Sequence, residues 1–286
     1  MAYEIDVRPS PIAGQWYPSD PRRLAEDVDA YIRAAGKQEL AGEVIGIIVP
    51  HAGHRYSGPV AGFAYSVLQG LKPEVVAIVS PMHYPYNQPL LTSAHQAYAT
   101  PLGVVPIAEQ ALQALDRQLQ DRLGYSLARV RKDPEHALEI EIPFLQKVLA
   151  SDFRLLPVMM RDQSARVSRS LGQALAEVLK GTNSLLVASS DLSHFYPQSV
   201  AEQLDTVLLQ QVEAFDPSGV LQVEEEGKAY ACGRGAIASV LWAAREMGAD
   251  QAQILRYATS GDVTGDYEQV VGYGAAVLTR SADSSS

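Results

Sequence analysis

Cysteine is nearly absent: Cys232 is the only one in 286 residues. A lone cysteine excludes an internal disulfide and suits a reducing compartment, so a cytoplasmic location is expected. Long apolar runs are missing too. None approaches the ~20 residues of a bilayer-spanning helix, so no membrane span is expected. The start, Met1-Ala2-Tyr3-Glu4-Ile5-Asp6, has no basic stretch followed by an apolar one, so no signal peptide is expected. Positive charge is in deficit, with 23 Lys and Arg against 33 Asp and Glu and a formal net charge of -10. That balance disfavours nucleic acid and anionic membranes as partners. Internal repeats and linkers rich in Pro, Gly or Ser are also lacking. One domain over 1–280 is therefore expected, with 281–286 as a disordered tail.

What is present is ample apolar material: 47% of residues are hydrophobic, enough for a substantial core. Extended apolar runs alternate with amphipathic stretches. Strands are expected over 43–50, 74–80, 153–159, 184–190, 252–259 and 269–279. Helices are expected over 20–35, 58–70, 107–122, 137–150, 163–181, 198–214 and 233–248. The alternation predicts an α/β fold, a single-domain layered sheet with helices on both faces. Runs 44–49 and 185–188 are almost wholly apolar and read as buried central strands. Residues 90–107, with Thr, Tyr, Val, Pro and Gly, suggest an antiparallel excursion.

Four short polar clusters hold most of the metal-capable side chains, and three of them directly follow strand-like runs. Pro50-His51-Ala52-Gly53-His54 follows 44–49, Pro81-Met82-His83 follows 75–79, and Asp191-Leu192-Ser193-His194 follows 185–188. Cys232 sits in Ala231-Cys232-Gly233-Arg234-Gly235, at the mouth of a helix-like segment. Open α/β sheets bind ligands at strand ends and the loops after them. Histidines and a cysteine there mark a candidate metal or catalytic site.

Each residue also has a plainer reading. His51 either lines a site or caps a turn that Gly53 and Gly58 make tight. His83 lies on a loop stiffened by Pro81 and Pro85, with Tyr84 and Tyr86 suiting a small organic substrate, or is simply exposed. Asp191 and His194 would share a face at a helix start, Asp191 orienting the imidazole, binding metal or serving as N-cap. Cys232 is either a small buried hydrophobe or a thiolate favoured by a helix N-terminus and by Arg234. His136 and Glu139, three apart at a presumed helix start, are either a histidine–carboxylate pair or part of a solvated face. His95 is read as a non-catalytic strand residue.

Taken in order, several segments resemble the Memo family, also described as protein B of the AmmeMemoRadiSam system. They are Arg8-Pro9-Ser10-Pro11-Ile12-Ala13-Gly14-Gln15-Trp16-Tyr17-Pro18, Pro50-His51-Ala52-Gly53, Tyr56-Ser57-Gly58, Glu135-His136-Ala137-Leu138-Glu139, Ser189-Ser190-Asp191-Leu192-Ser193-His194 and Cys232-Gly233. The set spans nearly the whole chain, and the family is similar in fold to the catalytic subunit of class III non-haem iron extradiol dioxygenases. Two departures stand out. His54 replaces the family's usual Tyr after His-Ala-Gly, and Ser80-Pro81-Met82-His83 replaces the usual Gly-Pro-(Asn or Ser)-His.

The resemblance implies a metal centre of His51, His83 and Cys232 holding a divalent metal, Fe(II) first, with Cu or Zn as competitors. It implies His194, His136 and Asp191 as catalytic residues. His54, Tyr56, Tyr84 and Glu139 are the expected substrate-binding residues. The expected function is a metal-dependent, dioxygenase-like redox enzyme acting on a small organic or peptide-linked substrate. A non-catalytic binding module and a zinc hydrolase are the alternatives. AMMECR1-like and radical SAM proteins are the partners the family name suggests, and a homodimer is the default assembly.

Overall fold

The computed structural model describes residues 5–40 and 42–281. Its centre is four parallel strands in the spatial order Gly42–Val49, Ser184–Ser189, Val75–Pro81 and Arg154–Met160. Every residue of Val75–Pro81 is buried. Successive strand side chains point to opposite faces, so a fully buried strand requires cover on both. Antiparallel strands extend the sheet. Val270–Ser281 pairs with Gly42–Val49, and Gln251–Thr259 pairs with Val270–Ser281. On the other side Leu90–Ser93 pairs with Arg154–Met160, followed by Ala128–Val130. A small separate sheet joins Val7–Arg8 to the hairpin Ala97–Thr100/Gly103–Pro106, the expected antiparallel excursion.

One hydrophobic core cluster joins sheet and helices. The helix Pro21–Ala35 shows how the sequence builds its cover. Asp20 caps it by accepting from the Arg23 amide, Pro21 opens it, and Leu24, Val28, Ile32 and Ala35 form its buried stripe. It packs against His54–Ser66, where Gly58 and Gly62 make room for Tyr31. A Cβ at Gly62 would lie 2.4 Å from the Tyr31 carbonyl oxygen, and backbone cannot swing aside. Gly62→Ala is therefore expected to destabilise by ~1–3 kcal/mol, read as a lower urea midpoint. An unchanged midpoint would contradict this close packing.

All six expected strands are present, with ends displaced by at most two residues. Several expectations need correction. The helix expected at 58–70 runs from His54 to Ser66, so Pro59 lies inside it rather than near its start. The segment expected as a helix over 137–150 is a 3₁₀ turn, Glu139–Glu141, leading into Ile142–Val148 with Pro143 in the first turn. The helix Pro217–Glu225, capped by Asp216, was not foreseen. Asp191 and His194 share no helix face, because His194 begins the short strand His194–Tyr196. His95 occupies the bend between two strands, where its Nδ1 lies 2.9 Å from Asp6 Oδ1. Ser281 ends a strand, while 282–286, the rest of the expected tail, lie outside the described residues. Among the described residues no helix is long and apolar enough to cross a membrane.

Candidate metal centre

Parallel strands place their carboxyl ends along one edge of the sheet. Three of the four central strands deliver chemistry there: His51 after Val49, His83 after Pro81, and Asp191 after Ser189. Cys232 arrives just before the helix Arg234–Glu246.

His51, His83 and His136 each bring a ring nitrogen to within 4.8 Å of the others. Their Nδ1 atoms all face protein oxygens. His51 Nδ1 lies 2.8 Å from Ser189 Oγ, and His83 Nδ1 and His136 Nδ1 lie 3.0 and 3.2 Å from Glu135 Oε1. Nε2 of each ring is thus the nitrogen left for a cation, and anchoring of the opposite nitrogen is the usual support of metal-bound histidine. The rings are held by stacking as well. Trp16 stacks on His136 at 3.9 Å, His136 on His83 at 4.8 Å, and His51 stands edge-on to both.

Glu135 was not foreseen as a functional residue, yet it organises the cluster. Its carboxylate accepts from the amides of His83 (2.5 Å), His136 (2.9 Å) and Ala137 (2.8 Å) as well as facing two imidazoles. Burial opposes its ionisation, but the His83 contacts outweigh this and hold its carboxyl below the usual range. Its only trace in the sequence is a carboxylate beside a histidine, which is common. Trp16, in the N-terminal motif, contributes the stack on His136.

The motif around Arg8 has a structural explanation. Arg8 is buried, forks onto Asp133 (3.0 and 2.9 Å), donates to the Glu135 carbonyl and pairs with Glu139. Ser10 and Tyr17 donate to the other Glu139 oxygen. The segment carrying Glu135 and His136 is thereby clamped to the N-terminal strand.

Glu139 is accordingly corrected from substrate binding to this clamp: it is fully buried and its oxygens are taken. His54 is corrected likewise. It points into the core against Phe144 and Tyr17, with Nε2 3.0 Å from the Ile140 carbonyl. Tyr56 and Tyr84 are exposed.

Asp191 does not orient His194, whose Nδ1 donates instead to the Leu192 carbonyl (2.7 Å). The Asp191 carboxylate accepts from the amides of His51 (2.7 Å) and Ala52 (3.2 Å), and its carbonyl accepts from the Cys232 amide (3.2 Å). It ties the His51 loop to the Cys232 loop. Burial pushes its carboxyl up to about 7, against those two amides.

Cys232 Sγ lies 3.1 Å from His51 Nε2, in reach of a cation held by that nitrogen. Arg234 does not favour a thiolate as expected, because it turns away to pair with Glu224. Burial, aided by Asp191, pushes the thiol well above its ordinary value. Burial also pushes His51 well below its ordinary value, with His136 and His83 adding to the effect. The pair is therefore a neutral thiol beside a neutral imidazole until a cation draws the thiol proton off.

Burial lowers His54 and His136 to about 4, from 6.5. The unfolded chain takes up these protons near 6.5 and the folded chain only near 4. Their contribution is intact above 6.5 and is lost as pH falls through the interval. In metal-free protein each histidine is expected to cost about 1.4 kcal/mol per pH unit between about pH 6 and pH 4.5. Urea unfolding at several pH values checks this, and a flat profile would contradict it.

The comparisons agree with this architecture. The model of the family described as "Memo-like protein" matches residues 8–277. A MEMO1 family protein of Nitrosopumilus maritimus is 35% identical over 274 residues, covering 94% of this chain and 98% of its own. A MEMO1 family protein of Methanopyrus kandleri is 35% identical over 279 residues, with the same shares. A crystal structure of an uncharacterized protein from Escherichia coli K12 superposes with a TM-score of 0.50 at 15% identity, covering 81% of this chain and 99% of that one; it is similar in fold. By the match along almost its whole length, this chain belongs to the Memo-like protein family.

Proposed function

We propose that the chain is a metal-dependent redox enzyme that works on a small organic or peptide-linked substrate in a reducing cytoplasm. The observation that carries the reading is three imidazoles, each anchored through Nδ1, converging beside a thiol. The donor set fits a borderline transition metal: nitrogen ligands with a sulfur at hand suit iron, copper or zinc. Fe(II) is the metal proposed; bound there it supplies a redox-active centre with positions open to substrate and oxygen.

The chain's own residues do the rest. His51 is buried and fixed, whereas His83 is exposed, so substrate enters from the His83 side. His194 donates through Nδ1 to the Leu192 carbonyl and keeps Nε2 as a proton acceptor. Burial lowers its basicity, so it stands neutral and ready to take a proton. Tyr230 lies edge-on to His194, and Tyr84, Phe195 and Tyr230 are exposed aromatic surface for an organic ligand.

A second ligand set, His51, His83 and Cys232, is favoured by the sulfur contact with His51. Cobalt(II) titration separates the two sets. Thiolate-to-cobalt charge transfer that Cys232→Ala abolishes places sulfur on the metal. Binding unchanged in Cys232→Ala but lost in His136→Ala places the three imidazoles there. Function is tested by oxygen uptake of Fe(II)-loaded protein over a panel of aromatic and peptide-linked compounds. Iron-dependent uptake that falls in His194→Ala is expected. Hydrolysis by the zinc form, with no iron-dependent uptake, would overturn the redox reading.

A further inference from the structure

We propose that Glu141 is held as a neutral carboxylic acid behind the metal centre and, through Ser189, fixes the tautomer and direction of His51. Glu141 is then a positioning residue. Its importance for the metal rests on the proposed role of His51, while its protonation state can be read without any metal.

The argument is a proton count at Ser189. A serine hydroxyl has one proton to give and two lone pairs to receive. Three partners surround Ser189 Oγ: the Ala137 carbonyl at 2.5 Å, His51 Nδ1 at 2.8 Å and Glu141 Oε1 at 2.9 Å. The carbonyl can only accept, so the serine proton goes there. The other two partners must then both donate. His51 carries its proton on Nδ1 and leaves Nε2 bare toward the site. Glu141 carries its proton on Oε1. Its second oxygen accepts from the Tyr65 hydroxyl at 2.6 Å, which completes the line.

An ionised Glu141 would set two acceptors against each other with no proton between them. His51, Ser189, Glu141 and Tyr65 are each at most 1% exposed, so water cannot repair such a fault. The contrast with Glu139 supports the assignment. Two residues earlier, that carboxylate is matched by the Arg8 guanidinium, whereas the partners of Glu141 are two hydroxyls. Burial drives the Glu141 carboxyl well above its ordinary value, in the same direction.

Infrared difference spectra of metal-free protein, wild type minus Glu141→Gln, read the first half. A neutral-carboxyl band at neutral pH that the variant lacks is expected; a carboxylate band in its place overturns the assignment. Nitrogen-15 spectra of metal-free protein read the tautomer: an Nδ1–H His51 is expected, and an Nε2–H His51 overturns the count. Cobalt(II) affinity and visible spectra read the positioning. Ser189→Ala and Glu141→Leu are expected to weaken binding ~10–100-fold and to shift the cobalt spectrum. Glu141→Gln can still donate to Ser189 and accept from Tyr65, so it is expected to recover most of the affinity. If Glu141→Leu does not fold, Ser189→Ala against Glu141→Gln still decides. A Gln variant no better than Ser189→Ala, or a Ser189→Ala variant with wild-type binding, overturns the positioning role. Failure of the wild type to bind cobalt overturns the metal reading instead, and the two spectra on metal-free protein still judge the proton count.

Discussion

His51→Ala is expected to abolish metal binding. The loss should exceed the roughly 10–100-fold that follows removal of an outer-shell partner. The imidazole sits at the meeting point of the whole centre: its ring is edge-on to His83 and His136, its Nδ1 faces Ser189, and Cys232 Sγ lies 3.1 Å from its Nε2. Truncation also leaves a cavity and strips Ser189 of a partner, which is expected to cost the metal-free fold ~1–3 kcal/mol. His83→Ala separates the two effects. Its ring is a third exposed and leaves no enclosed cavity, so its stability cost should be smaller and come chiefly from the lost Glu135 contact, while metal binding should still fall. Calorimetric titration beside urea unfolding of both variants checks the pair. Metal bound by His51→Ala as tightly as by wild type would remove the basis of the site.

Arg8→Met is expected to be the most destabilising substitution far from the metal. It leaves the Asp133 and Glu139 carboxylates buried without their cation. Removing one partner of a buried ion pair costs ~3–5 kcal/mol, or a Tm lower by about 10 °C in a chain of this size. The deficit should shrink toward acid pH, because a protonated Glu139 no longer needs the guanidinium. Metal affinity should fall in parallel, since the freed segment carries Glu135 and His136. Thermal unfolding at pH 7 and near pH 4.5 checks the first part. A variant as stable as wild type at both would show that the clamp contributes nothing.

Much of the fold was legible because its signals are local. Apolar runs of four to six residues bounded by polar turns gave the central strands, and a parallel sheet necessarily puts the following loops on one edge. His51, His83 and Asp191 could thus be grouped before any coordinates. Pairing across the chain was not legible. Arg8 and Asp133 are 125 residues apart, and neither shows in its own neighbourhood that the other will neutralise it. Glu135 is hidden the same way, because its partner His83 lies 52 residues earlier.

His54 was misplaced by a helix boundary. A helix expected to start at 58 leaves His54 in the loop with His51. In the fold the helix begins at His54 itself, and its ring turns inward onto Phe144. Asp191 was misread because i, i+3 spacing predicts a partner only on a helix, and residues 191–193 are not helical. Its carboxylate serves the His51 loop from across the sheet edge instead.

The most direct test of the central claim is elemental analysis of protein purified without oxygen, wild type beside His51→Ala and His83→Ala. The account predicts close to one transition metal per chain in the wild type and almost none in either variant. A wild type without metal after reconstitution with Fe(II), copper and zinc, or variants that retain the full complement, would contradict it.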